Sequence, residues 1–291
     1  MSNLTDALRQ RVEVMMPELE IQDFEINQEG LINDVVIVNR ALVFRFAKTE
    51  NHAKILQDEM RILDIIRPKT EMEVPTPIFQ GQDSVVYPFL AGQPFLRETV
   101  LKLESDVHVR TAEQLGTFLH GLHTAEISEL DWEIPPTLAP VTRDAWLDLR
   151  QRVKDRVYPL LLKHQIQWAD NLFDGVLSDP DSFAYHPALI HGDLAPYHIL
   201  FDPRKQSITG VIDFGVAGLG DPASDIGSLI SCYGESFVAP MKATYPEFER
   251  VLPRARFYAQ SIELQWVLLG IETGEAFWFT AHIGGARDIR S

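Results

Sequence analysis

Residues 189–215 read LIHGDLAPYHILFDPRKQSITGVIDFG, and this stretch carries the pattern that predicts the fold. Two apolar segments, ILF and ITGVI, flank a polar DPRKQS sequence, which predicts a β-hairpin. His198 precedes the first strand and Asp213 follows the second, so antiparallel pairing places them side by side. Asp193 lies upstream, in a loop that leads to the same end. Three polar side chains should therefore meet at one point, as a site for a metal and a transferred group requires.

The order of these groups is specific to one kind of catalytic loop. An H-x-D sequence at 191–193, a polar ligand after it, a hairpin and then D-F-G form the kinase arrangement. HGDLAPYHILFD resembles the catalytic signature of the aminoglycoside phosphotransferases, which are kinase-like enzymes acting on small molecules. His198, where protein kinases have asparagine, is similar to the aminoglycoside 2''-phosphotransferases and the macrolide phosphotransferases. The resemblance is strongest at 189–228 and weaker at 30–65 and 85–95.

The resemblance implies an α+β, protein-kinase-like fold with two lobes. The small nucleotide-binding lobe, about 1–90, is an antiparallel sheet with one helix, and the mainly helical catalytic lobe covers about 91–291. The local patterns agree with this, since short β-rich segments fill 24–46 and a helical pattern follows at 50–66.

Composition narrows the classes of function. The formal charge of −16 argues against nucleic acid and against anionic membranes as partners. Cys232 is the one cysteine, which predicts a reducing compartment without an internal disulfide. MSNLTDALRQRV has no signal-peptide pattern, and no apolar run reaches the length of a membrane span. We therefore expect a cytoplasmic protein, a monomer or weak dimer, with neither a nucleic-acid nor a membrane partner.

The nucleotide site is assigned by the resemblance to three parts of the small lobe. A loop that ends at Asn33 would cover the phosphates, although it contains a single glycine and also reads as an ordinary turn. Arg45 alternates with two phenylalanines and occupies the position of the family's phosphate-binding lysine, with Lys48 as the alternative. Glu59 resembles the helix glutamate that pairs with this cation, and a guanidinium can bridge a carboxylate and phosphate oxygens.

An apolar strand followed by Pro and Gly, at 85–92, is typical of the linker between the lobes. The family's linker hydrogen-bonds the nucleotide base, which assigns base contacts to Tyr87, Phe89 and Leu90. A tyrosine at 87 would narrow the deep part of the base pocket, where adenine would sit. The sequence therefore predicts that GTP is accepted at least as well as ATP.

The catalytic roles follow from the same resemblance. Asp193 would orient the acceptor hydroxyl and take its proton, while His198 and Asp213 would hold Mg²⁺ against the triphosphate. Because Mg²⁺ prefers oxygen ligands, the nitrogen at 198 is the weakest part of this assignment, and it can also act through a water molecule. Asp225 would anchor the catalytic loop, and His123 reads as structural.

The acceptor is predicted from the acidic and aromatic residues after the catalytic hairpin. Carboxylates there would hold the ammonium groups of an aminoglycoside, the first choice, whereas an aromatic groove would suit a macrolide. The assigned acceptor residues are Glu235, in an expected loop, and Glu263, Trp266 and Glu272, with Phe277 and Trp278 as further groove residues.

The sequence also allows two other interpretations of the function. The acceptor could be a metabolite such as choline or homoserine. In a different class, the chain could be a nucleotide-binding pseudokinase that acts as an interaction module. The presence of both Asp193 and Asp213 argues against a pseudokinase, which has no chemical need for the two carboxylates.

Overall fold

The computed structural model describes residues 2–27, 30, 32–128 and 130–274. The helices are α1 (Ser2–Met15), α2 (Glu50–Ile66), α3 (Arg97–Val100), α4 (Ser105–His123), α5 (Arg143–Arg156), α6 (Lys163–Leu177), α7 (Ala223–Tyr233), α8 (Glu235–Val238) and α9 (Phe248–Thr273). The strands are β1 (Phe24–Asn27), β2 (Asn33–Val38), β3 (Leu42–Ala47), β4 (Phe79–Gln80), β5 (Ser84–Pro88), β6 (Gln93–Pro94), β7 (Ala188–Ile190), β8 (Ile199–Asp202), β9 (Ser207–Val211) and β10 (Gly218–Gly220).

The small lobe is one antiparallel sheet with strand order β1-β2-β3-β5-β4. The turn between β2 and β3 uses Asn39 and Arg40, whose φ angles are 55° and 48°. Two consecutive left-handed residues are typical of a two-residue hairpin turn that matches the twist of the strands. The hairpin that the sequence predicts at this position is therefore present.

The two faces of this sheet have different partners. Phe44 and Phe46 of β3 point to the outer face, where Leu8 and Val12 of α1 pack against them. Arg45 lies between the two phenylalanines and points to the inner face, because side chains alternate along a strand. The inner face is continuous with the core of the large lobe, so a polar side chain there is turned toward the junction of the lobes.

Helix α2 covers the inner face. The Thr49 hydroxyl accepts a hydrogen bond from the amide of His52 and caps the first turn. Leu56, Met60 and Leu63 recur at helical spacing and are buried in the main core. Glu59 is on the same buried side, which leaves a carboxylate inside the protein next to the sheet.

The large lobe is helical around a small central sheet. Helices α4, α7 and α9 supply much of its core. The catalytic hairpin β8–β9 pairs with the linker strand β6 in a three-stranded antiparallel sheet. Because β6 directly follows the small lobe, the hairpin is tied to the segment that connects the two lobes.

The segment after α2 also reaches the hairpin. Glu73 forms a parallel bridge to Gly210 of β9, with its amide donating to the carbonyl of Thr209. A Cβ atom at position 210 would lie 2.6 Å from the carbonyl oxygen of Glu73. A glycine is required here, and this close approach docks the end of α2 against the catalytic hairpin.

The predicted α+β, two-lobed architecture is confirmed. The helical region at 144–177 is two helices, and Pro159 lies in a short 3₁₀ turn between them. Glu235 was expected in a loop, and that expectation is wrong: it is the first residue of α8, directly after Gly234. Among the residues described, no helix is both long enough and apolar enough to span a bilayer.

Candidate active site

The open end of the catalytic hairpin brings the three predicted polar residues together. Ile199 pairs with Val211, and the amide of Ile212 donates to the carbonyl of His198 at 2.9 Å. His198 Nε2 consequently lies 3.4 Å from Asp213 Oδ2. Asp193 Oδ2 is 3.8 Å from Nδ1 of the same histidine. The convergence inferred from the spacing of the motif is present in the structure.

The tautomer of His198 is set by the backbone. Its Nδ1 lies 2.8 Å from the carbonyl oxygen of Asp193, which only accepts hydrogen bonds, so Nδ1 carries a proton. In the neutral ring the lone pair is then on Nε2, which faces a carboxylate oxygen of Asp213. The lone pair on Nε2 and the Asp213 carboxylate could hold a metal ion between them.

Asp213 is held in a strained backbone conformation. Its φ of 65° lies in the left-handed region, which is uncommon outside glycine and clusters at functional sites. Loss of water opposes ionisation of its carboxylate, but the charges of Arg45 and His198 outweigh this and lower its pKa. The side chain remains 48% exposed, so an ionised carboxylate is open to a ligand.

Asp193 follows Gly192, which has a left-handed backbone conformation that other residues rarely adopt. Gly192 has φ 81°, and a Cβ there would lie 2.8 Å from the hydroxyl of Thr137. Burial raises the pKa of the Asp193 carboxyl, while the neighbouring His198 and His191 oppose that rise. A carboxylate whose proton affinity is raised in this way suits a group that accepts a proton.

The catalytic loop is anchored by Asp225 of α7, as predicted. Its two carboxylate oxygens accept hydrogen bonds from the amides of His191 and Gly192, both at 2.8 Å. His123 of α4 lies 3.1 Å from the same carboxylate, and its other ring nitrogen lies 2.8 Å from the Tyr245 hydroxyl. Burial opposes ionisation of Asp225, but the contacts with His123 and His191 lower its pKa.

His191 has a structural role that the sequence analysis did not assign. Its Nε2 donates to the carbonyl of Ile212 at 3.1 Å, and its Nδ1 accepts from the amide of Asp193. Burial lowers the pKa of this ring, which agrees with a neutral imidazole that donates at one nitrogen and accepts at the other. It therefore links the loop of Asp193 to the strand that leads to Asp213, and the H-x-D motif was the available signal.

A buried ion pair joins the small lobe to this cluster. Arg45 Nη1 lies 2.5 Å from Glu59 Oε1, which also accepts from the amide of Phe214 at 3.2 Å. Arg45 Nη2 is 3.6 Å from Asp213 Oδ1. Burial opposes the charge of Arg45, but Glu59, Tyr87 and Asp213 raise its pKa, so it remains a cation. Burial raises the pKa of Glu59, and Arg45 opposes that rise.

Tyr87 lies on the same inner face, beside Arg45. Val43 is its partner in the register of β3 and β5, one side-chain repeat from Arg45. Burial raises the pKa of its phenol to about 12, and a hydrogen bond with Arg45 opposes that rise. Tyr87, which is predicted to narrow the base pocket, is thus in contact with Arg45, the predicted phosphate-binding cation.

The remaining nucleotide-site residues have varied surroundings. Asn33 is buried, and its Oδ1 has no hydrogen-bond partner within the described part of the chain. Lys48 Nζ donates to the carbonyl of Gly30 at 2.5 Å, which places it at the predicted phosphate loop rather than beside Glu59. The Phe89 amide donates to the carbonyl of Ala41, so a base contact from Phe89 would use its carbonyl or side chain. Leu90 is partly buried in the linker.

Two of the predicted acceptor carboxylates are held by arginines. Glu235 is 5% exposed and accepts from Arg256 at 2.9 and 2.7 Å, one bond to each oxygen. Glu272, near the end of α9, forms the same two-bond contact with Arg152 of α5. A carboxylate that is already neutralised in this way is poorly suited to grip an ammonium group.

The other predicted acceptor residues give less direct information. Glu263 and Trp266 are both partly buried on α9. Phe277 and Trp278 lie outside the described residues. Of these four residues, the structure therefore describes Glu263 and Trp266.

The donor set at the hairpin end fits a cation that shares its ligands with a substrate. Among the described residues there is no group of three or more His, Cys, Asp or Glu side chains that could hold a metal ion. Mg²⁺ is commonly bound by one or two carboxylates together with substrate phosphates and waters rather than by a full protein cage. Asp213, with its exposed carboxylate, meets that requirement, and His198 would add a nitrogen ligand, directly or through a water molecule.

The chain is similar to known phosphotransferases in sequence and in fold. Viomycin phosphotransferase of Streptomyces vinaceus is 27% identical over 231 residues, 74% of this chain and 75% of that protein. The GDP and kanamycin complex of aminoglycoside 2''-phosphotransferase IIIa superimposes with a TM-score of 0.81 at 26% identity, over 95% of this chain and 96% of the other. Macrolide 2'-phosphotransferase type I shares the fold, with a TM-score of 0.71 at 21% identity over 95% of each chain.

The match to a family covers most of the chain. A sequence profile described as the phosphotransferase enzyme family matches residues 23–258, which include both lobes and the catalytic hairpin. This protein therefore belongs to the phosphotransferase enzyme family and is a kinase-like phosphotransferase.

Proposed function

We propose that this protein transfers the γ-phosphoryl group of ATP or GTP to a hydroxyl of a small molecule, with an aminoglycoside as the first choice of acceptor. The observation that supports this best is the contact between the lobes. Arg45 and Glu59 from the small lobe meet Asp213 from the large lobe, next to Asp193 and His198.

The reaction assigns one task to Asp193. The acceptor oxygen forms a bond to the γ-phosphorus as the bond between that phosphorus and the bridging oxygen breaks. The electron pair of the broken bond leaves with the nucleoside diphosphate, and the hydroxyl proton passes to the Asp193 carboxylate. Because such transition states carry spread negative charge, positioning and electrostatics supply most of the catalysis.

Asp213 and His198 would hold Mg²⁺ at the hairpin end. When bound, the ion would neutralise charge on the triphosphate. The strained φ of Asp213 keeps its carboxylate at the open end of the hairpin, and the hydrogen bond from His198 Nδ1 to the backbone keeps Nε2 directed at it. Arg45 would contact phosphate oxygens with the guanidinium nitrogen that Glu59 does not use.

The choice of donor base rests on Tyr87. Its ring is buried on the inner face of the small-lobe sheet, and a related structure at 26% identity is a GDP complex. GTP is expected to serve at least as well as ATP. Replacing the ring by a small side chain, as in Tyr87→Ala, should improve the use of ATP relative to GTP.

A matched variant separates the ring from its hydroxyl. Tyr87→Phe retains the ring and removes the contact with Arg45, so it should raise the KM of both nucleotides while their ratio stays constant. Steady-state kinetics with ATP and GTP for both variants measure this. An unchanged ratio of ATP to GTP use in Tyr87→Ala would count against the proposal that this ring narrows the base pocket.

The choice of an aminoglycoside rests on charge and on the relatives. The net charge of −16 favours a cationic acceptor. One related structure contains kanamycin, and a curated relative is a viomycin phosphotransferase. Because Glu235 and Glu272 are paired with arginines, they are poorly suited to hold the ammonium groups of an aminoglycoside. A macrolide, which needs an apolar groove, is therefore the second candidate.

The decisive experiment is an acceptor panel. Kanamycin, gentamicin, streptomycin, viomycin and erythromycin would each be incubated with the protein, Mg²⁺ and either ATP or GTP, and phosphorylated product detected by mass spectrometry. Transfer to kanamycin or gentamicin is expected, with KM rising as salt is added because exposed ion pairs are screened. Product from erythromycin without product from the cationic compounds would overturn the acceptor and leave the kinase chemistry standing.

A complete absence of transfer would overturn the proposed function itself. Retained binding of Mg²⁺ and nucleotide without turnover, toward any acceptor including choline and homoserine, would favour a pseudokinase. The Asp193→Asn variant is the negative control throughout, since it removes the proposed base and leaves both metal ligands.

A further inference from the structure

Tyr197 is an exposed aromatic residue beside the reacting groups, and the mechanism above does not use it. Its side chain is 41% exposed, whereas Phe201 and Phe214 of the same hairpin region are buried. Aromatic side chains contribute stability mainly when they are covered. An uncovered ring next to a catalytic carboxylate is therefore better explained by a ligand than by the core.

The ring is held in place before any ligand arrives. Tyr197 lies in the 3₁₀ turn Pro196–His198, where the proline ring restricts the backbone. The carbonyl of Pro196 accepts a hydrogen bond from the amide of Phe95 at 3.0 Å. One edge of the tyrosine meets the His198 ring at 87°, with centroids 4.9 Å apart. A rigid, half-covered ring loses little conformational entropy on binding.

The free part of the ring shares its surroundings with the proposed base. Burial raises the pKa of the Tyr197 phenol, and the nearby Asp193 and Cys232 add to that rise. The phenol hydroxyl can donate a hydrogen bond. The side chain of Asp193 is about a third exposed, so the carboxylate and the tyrosine ring are both open to a ligand on this part of the surface.

We propose that Tyr197 is the acceptor wall: its ring packs against a sugar-like ring of the acceptor that carries the reacting hydroxyl and amino groups. This inference rests on the proposed function. The face of a tyrosine attracts ammonium groups and covers C–H surfaces, and its hydroxyl donates to ring or hydroxyl oxygens. In the proposed function the nucleotide base lies beside Tyr87 and the phosphates beside Arg45, so the base has no part in this contact.

A purely structural role makes a different prediction. If Tyr197 only supported His198, its removal would disturb the metal site and weaken Mg²⁺-dependent nucleotide binding. If it is the acceptor wall, its removal affects the acceptor and leaves the donor unchanged. The two roles are therefore separated by comparing the KM of the acceptor with that of the donor.

The test uses the full-length protein with kanamycin, or the best acceptor of the panel, and GTP. Tyr197→Ala should raise the acceptor KM by about 5–30-fold, the equivalent of a partly desolvated cation–π contact. Tyr197→Phe should rescue most of this loss, since the ring remains. The GTP KM should be unchanged in both variants. Phe79→Ala removes a ring of similar exposure in the small lobe and is the matched control.

Three results decide between the possibilities. An unchanged acceptor KM in Tyr197→Ala, with wild-type transfer intact, overturns the acceptor wall and leaves the proposed function standing. A parallel rise in acceptor KM and GTP KM also overturns it, in favour of support for His198. Failure of the wild type to phosphorylate any acceptor overturns both this inference and the proposed function.

Discussion

Two arginine–glutamate pairs in this protein have similar chemistry but differ in how many glutamate oxygens the arginine contacts. In the small-lobe pair, Arg45 reaches one oxygen of Glu59, and the other oxygen has no hydrogen-bond partner within the described part of the chain. In the pair between α8 and α9, Arg256 donates to both oxygens of Glu235. Both glutamates are buried, so burial alone does not distinguish them.

The difference lies in what surrounds each pair. Arg45 has a second carboxylate, that of Asp213, at 3.6 Å, and its charge faces the end of the catalytic hairpin. The two-bond contact between Arg256 and Glu235 satisfies the carboxylate within the protein. The first arrangement can accept a charged ligand, and the second stabilises packing. An acidic residue near an active site is therefore informative only once its partner is known.

The largest effect should come from the group at the centre of the open region. Asp193→Asn removes the proposed base, and loss of general base catalysis typically costs about 10²–10⁴-fold in rate. Binding of Mg²⁺ and nucleotide should persist, because Asp213 and His198 remain. Steady-state kinetics and calorimetry measure the two properties separately. Near-normal turnover would show that the chemistry is not at this point.

The next effect concerns the proposed metal ligands. Asp213→Ala removes a charged ligand and should abolish the dependence of nucleotide binding on Mg²⁺, whereas His198→Ala should weaken that dependence less. Calorimetric titration of GTP with and without Mg²⁺ measures this. Asp202→Asn, at the turn end of the same hairpin, is the matched control. Wild-type binding in Asp213→Ala would exclude a metal site at the open end.

Substituting the two arginines tests the comparison directly. Arg45→Lys retains the charge but loses the planar fork, so the donor KM should rise about tenfold, equivalent to one charge-assisted hydrogen bond. Arg256→Met leaves Glu235 buried and unpaired, and should lower the free energy of unfolding by about 1–3 kcal/mol. Its kinetic constants should match those of the wild type. If Arg256→Met changes KM and Arg45→Lys does not, the assignment of open and closed pairs is reversed.

The smallest effect is on the pH dependence of stability. The lowered pKa of Asp225 contributes stability above its ordinary value of 3.8, and that contribution is lost as pH falls through the folded-state pKa. Below pH 3.8, the free energy of unfolding of the wild type should therefore fall more steeply than that of Asp225→Asn. Urea titrations at a series of acidic pH values measure both slopes. Equal slopes would mean that Asp225 does not stabilise the catalytic loop through its charge.

Much of the candidate site was predictable because the chain itself enforces it. A short hairpin leaves few ways to pair two strands, so His198 and Asp213 must come together once the strands form. Asp193 is close in sequence to His198, which limits how far it can lie from the same point. The alternation of β3 likewise predicted that Arg45 faces away from the two phenylalanines. In each case a local covalent or periodic constraint decides the geometry.

The tertiary structure decided which distant groups meet. Glu272 lies far along the chain from Arg152, and His123 is equally remote from Asp225, yet each pair is in contact. The sequence analysis expected Glu235 in a loop as a ligand for the acceptor, whereas the structure buries it at the start of α8, beside Arg256 of α9. The sequence by itself determined the hairpin, the lobes and the cluster at the hairpin end, because short-range geometry allows few alternatives. Which carboxylates stay open to a ligand was decided only by the packing of the helices, because their arginine partners lie far away along the chain.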